Sequence, residues 1–353
     1  MFLAFKELKY TKSKFALIIS VIILISYLVY FLTSLAYGLA SSYTNAVTKW
    51  EANHLILTVD SNDNMMMSFM NETQFMETEV SGDKAKLGLF PAVINNPGAE
   101  NVLESRLNVY LFGVENDSFI KPANYNISGN QVIVDEKLMK SGYQVGDLIG
   151  ISGSDLLLEI IGFSSKTTYQ TAPVIFMELS AWQAHRYGSQ TPPNLYSGIV
   201  VRGQVNNVSE DLLTYSVDKY IQTLPGYTAQ VLTFSIMIVF LIIIVAFVLG
   251  IFIYVLTIQK TSMFGVMKAQ GISNFYIGSS VVLQTNILVA IGIIVGFILT
   301  VITEVFLKDI VPLASNMLFI SIITVAFFLF AIFGALFSVK AVLKIDPLKA
   351  IGG

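Results

Sequence analysis

Residues Val231–Thr257 read VLTFSIMIVFLIIIVAFVLGIFIYVLT, with no Lys, Arg, Asp or Glu among them. A helix crosses a hydrocarbon core of about 30 Å with roughly 20 apolar residues, so this stretch is long enough to span a membrane. Gly278–Val301 and Met317–Val339 follow it and are equally free of charge. A fourth such stretch, Phe15–Leu39, stands alone near the start. Between Leu39 and Val231 the sequence has the mixed composition of a water-exposed domain. The expected fold class is a membrane protein with four transmembrane α-helices and an α+β extracytoplasmic domain inserted between helices 1 and 2.

Gly38-Leu39-Ala40 before Ser41 looks like a small-residue cleavage site. A signal peptide's apolar region runs about 7–15 residues, and Phe15–Leu39 is longer, so a retained first span is expected. The divisions are an amphipathic N-terminal helix (1–14), span 1 (15–39), the inserted domain (40–230) and span 2 (231–257). An inner loop (258–277), span 3 (278–301), an outer loop (302–316), span 4 (317–339) and a tail (340–353) complete the chain.

Orientation follows from Lys and Arg in the short flanks. Lys6, Lys9, Lys12 and Lys14 precede span 1; Lys260 and Lys268 lie in the inner loop; Lys340, Lys344 and Lys349 lie in the tail. Only Glu7 and Asp346 oppose them there. The inserted domain is acidic, with 20 Asp and Glu against 11 Lys and Arg. A cell-membrane, multi-pass protein with both termini cytoplasmic is expected, and a nucleic-acid partner has no support. The absence of cysteine excludes thiolate metal sites. It also means that an exported domain would fold without disulfides, which suits a bacterial surface.

In the inserted domain, 54–60, 109–114, 131–134, 148–152, 156–163 and 174–176 read as strands. Ser180–Tyr187 reads as a helix capped by Ser180. Ser209–Tyr220 has helical spacing at Leu212, Leu213, Val217 and Ile221. In the spans, Gln284, Thr285 and Asn286 suggest interhelical hydrogen bonds, and Gly292 and Gly296 suggest close helix packing.

Three stretches carry a resemblance: Leu3–Phe15, the inner loop 259–273 (QKTSMFGVMKAQGIS) with its Lys-Ala-x-Gly step, and the tail 341–350 (AVLKIDPLKA) with its Asp-Pro. Together with the one-plus-three layout, they resemble the permease subunits of MacB/FtsX-type ABC transporters. Gln270 departs from the small or apolar residue common there. The resemblance covers the whole chain, with the inserted domain matched by position only.

The inner loop has its own physical reading. Met263, Val266, Met267 and Gln270 fall at helical spacing, and Gly271 suits a left-handed terminator. The resemblance implies that this helix couples to an ATPase through Met263, Phe264, Val266, Met267, Lys268 and Gly271. The sequence contains no Gly-x-x-x-x-Gly-Lys-Ser/Thr, so ATP would be bound by a separate cytoplasmic ABC subunit. No catalytic residue and no cofactor or metal of its own is expected. Four spans are few for a transport path, so a homodimer among membrane lipids is implied.

The chain looks most like the compact HrtB/DevC-like branch, which includes heme exporters. That likeness implies heme or another toxic amphiphile as cargo. Heme iron accepts His, Met, Cys or Tyr, so candidate cargo residues are Tyr37, Tyr43, Glu51, His54, Met65–Met67, Tyr169 and Met237. The aromatic residues of span 1 (Tyr27, Tyr30, Phe31, Tyr37) fit either an interfacial belt or a wall for a flat ligand. Two alternatives stay open. One is an exporter of peptide, lipid or antimicrobial in the same family. The other is an FtsX-like mechanotransmission protein that transports nothing.

Overall fold

The computed structural model describes residues 12–123, 125–188, 193–308 and 310–343. Most of the N-terminal amphipathic segment and the Asp-Pro of the tail lie outside the described residues. The chain forms two compact units: one from residues 1–38 and 232–353, the other from 39–231.

The first unit is the helical one. Among the described residues, four helices are long and apolar enough to cross a membrane: α1 (Lys12–Lys49), α6 (Tyr227–Ile258), α8 (Asn274–Leu307) and α9 (Met317–Leu343). Association of such helices relies on close packing and polar contacts, because lipid is as apolar as leucine. Both are present. On α8, a Cβ at Gly292 would lie 2.3 Å from Ile22, and one at Gly296 would lie 2.1 Å from Ser26 Oγ. The Ser26 hydroxyl donates to the Gly292 carbonyl at 3.1 Å. The glycine pair therefore packs α8 directly against α1.

Hydroxyl pairs add further contacts to α1. Tyr27 meets Thr303 at 3.1 Å, Tyr30 meets Thr324 at 2.6 Å, and Ser34 meets Ser315 at 3.0 Å. Tyr30 is fully buried, so Tyr27 and Tyr30 spend their hydroxyls on helix–helix bonds rather than on a ligand wall. Gln284 makes a polar contact of another kind: it accepts from Lys260 Nζ at 2.7 Å.

Among the described residues, the second unit is built on a sheet of ten strands. We number them β1 (His54–Thr58), β2 (Asp83–Asn95), β3 (Leu107–Val114), β4 (Gln131–Asp135), β5 (Leu148–Ile151), β6 (Leu157–Ser164), β7 (Thr168–Tyr169), β8 (Ala172–Glu178), β9 (Gly198–Arg202) and β10 (Leu212–Ser216). The order is β10-β1-β9-β2-β3-β8-β4-β6-β5, with β7 paired to β8. The far end of β2 also pairs with β5, Ile94 opposite Ile151, so six strands close into a ring. Side chains alternate across a strand, and the burial obeys this. Val109, Leu111, Val132, Val134, Ile175 and Met177 share one core, while Phe112, Val114, Ile133, Val174 and Phe176 share the other. The short helices are α2 (Glu72–Glu77), α3 (Glu136–Lys140), α4 (Leu179–Tyr187) and α5 (Val217–Thr223).

Four readings change. The strands β2 and β9 were not expected. Residues 209–220 are not one helix: β10 pairs with β1, and α5 begins only at Val217, capped by Ser216. The helix α4 starts one residue early, with Glu178 rather than Ser180 at its N-cap and no side-chain bond there. The helix α1 continues ten residues past its apolar stretch to Lys49, and its Ala46 and Val47 sit in the second unit's core.

Candidate functional site

In the helical unit, the inner loop folds as helix α7 (Thr261–Ala269). It ends as expected: Gly271 has φ +83°. The Gly271 N–H donates to the Lys268 carbonyl at 2.9 Å, and Ile272 N–H to the Met267 carbonyl at 3.0 Å. Those two bonds form a Schellman motif. The anticipated apolar stripe splits in two. Phe264 and Met267 are buried with Ile277, Val281 and Val339. Met263 and Val266 face outward, 36% and 42% exposed. Gln270 is exposed with them, and Lys268 is half-buried. One face of α7 is thus anchored to α8 and α9, and the other offers an apolar surface. Lys260 stands at its start, over the Phe15 ring at 5.3 Å.

In the second unit, tyrosines gather around β7. The Tyr169 ring meets Tyr110 edge-on at 4.9 Å and Phe112 at 5.8 Å. The Tyr169 hydroxyl pairs with that of Tyr220 at 2.6 Å. Tyr110 donates to Gln170 Oε1 at 3.0 Å, and the Gln170 N–H donates to the Tyr43 carbonyl at 3.0 Å. Tyr43 stacks obliquely on Tyr227 at 6.0 Å. Gln170 and Thr171 both have positive φ, 47° and 70°. Such backbone is costly outside glycine and persists only where the surroundings impose it. Burial pushes the Tyr169 and Tyr220 phenols well above their ordinary range, so both stay neutral at physiological pH.

Within the second unit, the candidate cargo residues are not one cluster. Tyr43 and Tyr169 share the tyrosine group. Glu51, at φ 50°, is exposed and lies 3.9 Å from Arg202. His54 opens β1 and lines a small groove with Asn207 and Thr214. Met65 is buried, whereas Met67 is exposed. In the helical unit, Tyr37 packs by Phe319 at 6.0 Å, and Met237 is exposed on α6. The sequence reading missed Tyr110 and Tyr220. Tyr169 and Tyr220 lie 51 residues apart, and only the sheet and α5 unite them.

The hydroxyl pair gives a clean prediction. Tyr169→Phe or Tyr220→Phe alone should destabilise the second unit by about 1–3 kcal/mol, because each leaves a buried partner short of its bond. The double variant should cost less than the two single variants together. Thermal melting of the purified chain measures this. The raised phenol pKa values hold stability below about pH 10, the ordinary tyrosine value. Stability is lost as pH rises beyond it, because the unfolded tyrosines release protons first. The double variant should lose less stability there.

No protein-family model matches the chain. Three curated relatives do. Two from Staphylococcus epidermidis strains are 27% identical over 357 residues, covering 100% of this chain and 99% of each relative. One from Staphylococcus haemolyticus is 27% identical over 363 residues, with the same coverage. All three carry the provisional name hemin transport system permease protein HrtB. Among solved structures, the periplasmic region of MacB from Actinobacillus actinomycetemcomitans aligns with 49% of this chain and 92% of its own at TM-score 0.33 and 10% identity, too distant a likeness to support an inference. With four apolar helices and a sheet domain between the first two in sequence, the chain is similar over its whole length to three permeases named HrtB.

Proposed function

We propose that this chain is the permease subunit of an ABC exporter that expels heme, or a similar toxic hydrophobic compound, from the membrane. The observation that carries the reading is the full-length similarity to three permeases named for hemin transport. A separate cytoplasmic ATPase drives it, since the sequence has no phosphate-binding loop. The anchored, half-apolar helix α7 suits the contact with that subunit. The basic flanks support cytoplasmic termini and an outward inserted domain. Two copies around a two-fold axis would supply eight spans.

Deletion of the gene should lower tolerance of hemin, and the intact chain should restore it. Unchanged hemin tolerance with altered cell shape or division would point to mechanotransmission instead. Sensitivity confined to peptides or detergents would keep the exporter and replace the cargo.

A further inference from the structure

Lys260 stands where α1, α6, α7 and α8 meet. Its N–H donates to the Thr257 carbonyl at 3.1 Å, in the last turn of α6. Its carbonyl accepts from the Phe264 N–H at 3.0 Å, in the first turn of α7. Its side chain leaves both of those helices. The ammonium donates to Gln284 Oε1 of α8 at 2.7 Å and lies over the Phe15 ring of α1, 5.3 Å from its centre. Both partners are buried, Gln284 at 6% exposure and Phe15 at 3%.

Local chemistry does not explain a lysine here. Lys260 is the N-cap residue of α7, and its side chain makes no capping bond. Helix N-termini favour Ser, Thr, Asp and Asn at the cap, and the positive end of the helix dipole opposes a cation. The tertiary contacts supply the reason. Gln284 lies well inside α8, which begins at Asn274. An amide buried in a span is costly without a hydrogen bond, and the ammonium provides one at Oε1. An ammonium over an aromatic face is itself favourable. The buried face of α7 already packs on α8 and α9. Lys260 adds a directional bond to α8 and a contact with α1.

We propose that Lys260 is the positioning residue that carries movement of α7 into the spans, gripping α8 at Gln284 and α1 at Phe15. The inference rests on the reading of α7 as the ATPase contact and names the joint behind that contact. Coupling between distant sites runs through packed side chains and hydrogen bonds that have discrete arrangements, and this node holds both kinds of contact.

The test follows hydrogen exchange in the complex isolated through a tag on this chain, with the ATPase trapped by ATP and vanadate. In the wild type, trapping should change exchange in α7 and, with it, in α1 and α8. Lys260→Met keeps the unbranched stem and removes the ammonium; Gln284→Met removes the acceptor at similar length. In each variant α7 should still respond, while the response of α1 and α8 should shrink at least about fivefold, the low end of ordinary coupling between sites. The double variant should lose no more than Lys260→Met alone, because the two side chains act through one bond. Lys260→Arg, which keeps the charge and the donors, should respond as the wild type does. Thermal melting shows whether each variant is folded. A response that falls in α7 in step with α1 and α8 would make Lys260 a purely structural residue and overturn the proposal. If both single variants transmit as the wild type does, or if the wild-type response stops at α7, Lys260 is not the joint, and the reading of α7 stands. If no ATPase accompanies the wild-type chain, or α7 itself does not respond, both fall.

Discussion

Gly296→Val should leave almost no monodisperse protein after detergent extraction, and Gly292→Val should do nearly the same. The Cβ of a residue at 296 would lie 2.1 Å from Ser26 Oγ and 2.9 Å from the Tyr27 backbone nitrogen. The hydroxyl can rotate away, but the backbone cannot, so α1 must separate from α8. Overpacking in a tight interface costs roughly 1–3 kcal/mol per site. Separation also breaks the Ser26–Gly292 bond and strains the Tyr27–Thr303 bond beside it. Against a total stability of about 5–15 kcal/mol, two such sites remove a large share of what holds the bundle, and the double variant should be the worst of the three. Gly250→Ala is the matched control. It is also a glycine within a span, but a Cβ there meets nothing within 4 Å. Size-exclusion profiles and melting temperatures of the variants decide the matter. A normal profile for Gly296→Val would mean that α1 and α8 are not in contact at this point.

The spans were legible because twenty or more uncharged apolar residues have few other uses. Their ends were not. The helix α1 continues through Ser41, Ser42, Thr44 and Asn45 because tertiary contacts carry it, among them Asn45 to Thr168 at 3.0 Å. Helical spacing misled at 209–220, where Leu212 and Tyr215 lie on β10, buried and paired with β1. The strand β2 was hidden by Lys84, Lys86, Gly88 and Pro91. Two of them have a tertiary reason: Lys86 bonds Glu72 at 2.8 Å and Glu115 at 3.1 Å, while Gly88 and its partner Gly113 form the seat for the buried Trp182. The glycine spacing of span 3 and the Gly271 stop were read correctly because both depend on local or helical geometry alone. The tyrosine group was not legible, since strands and helices far apart in sequence assemble it.

Helix α7 offers the second large effect, and its two faces should fail differently. Met263→Asp with Val266→Asp changes only outward-facing side chains, so the chain should extract and melt as the wild type does. Coupling to the proposed ATPase subunit should nonetheless be lost. An apolar contact surface that gains two carboxylates must desolvate them on docking, at several kcal/mol per uncompensated charge. A loss of about 3 kcal/mol corresponds to more than a hundredfold in the complex's affinity. Hemin-stimulated ATP hydrolysis and co-purification of the ATPase should both drop to background. Phe264→Ala acts on the other face. Phe264 is buried among Met267, Ile277, Val281 and Val339, and truncating a buried phenylalanine costs about 3–5 kcal/mol. This variant should melt earlier and retain the ATPase only at low temperature, where α7 stays docked on α8 and α9. If the double aspartate variant still recruits and stimulates the ATPase, the exposed face of α7 is not the contact, and the coupling role must pass to segments outside this helix. If it loses both while melting normally, the outward pair Met263 and Val266 is the surface through which hydrolysis reaches the spans.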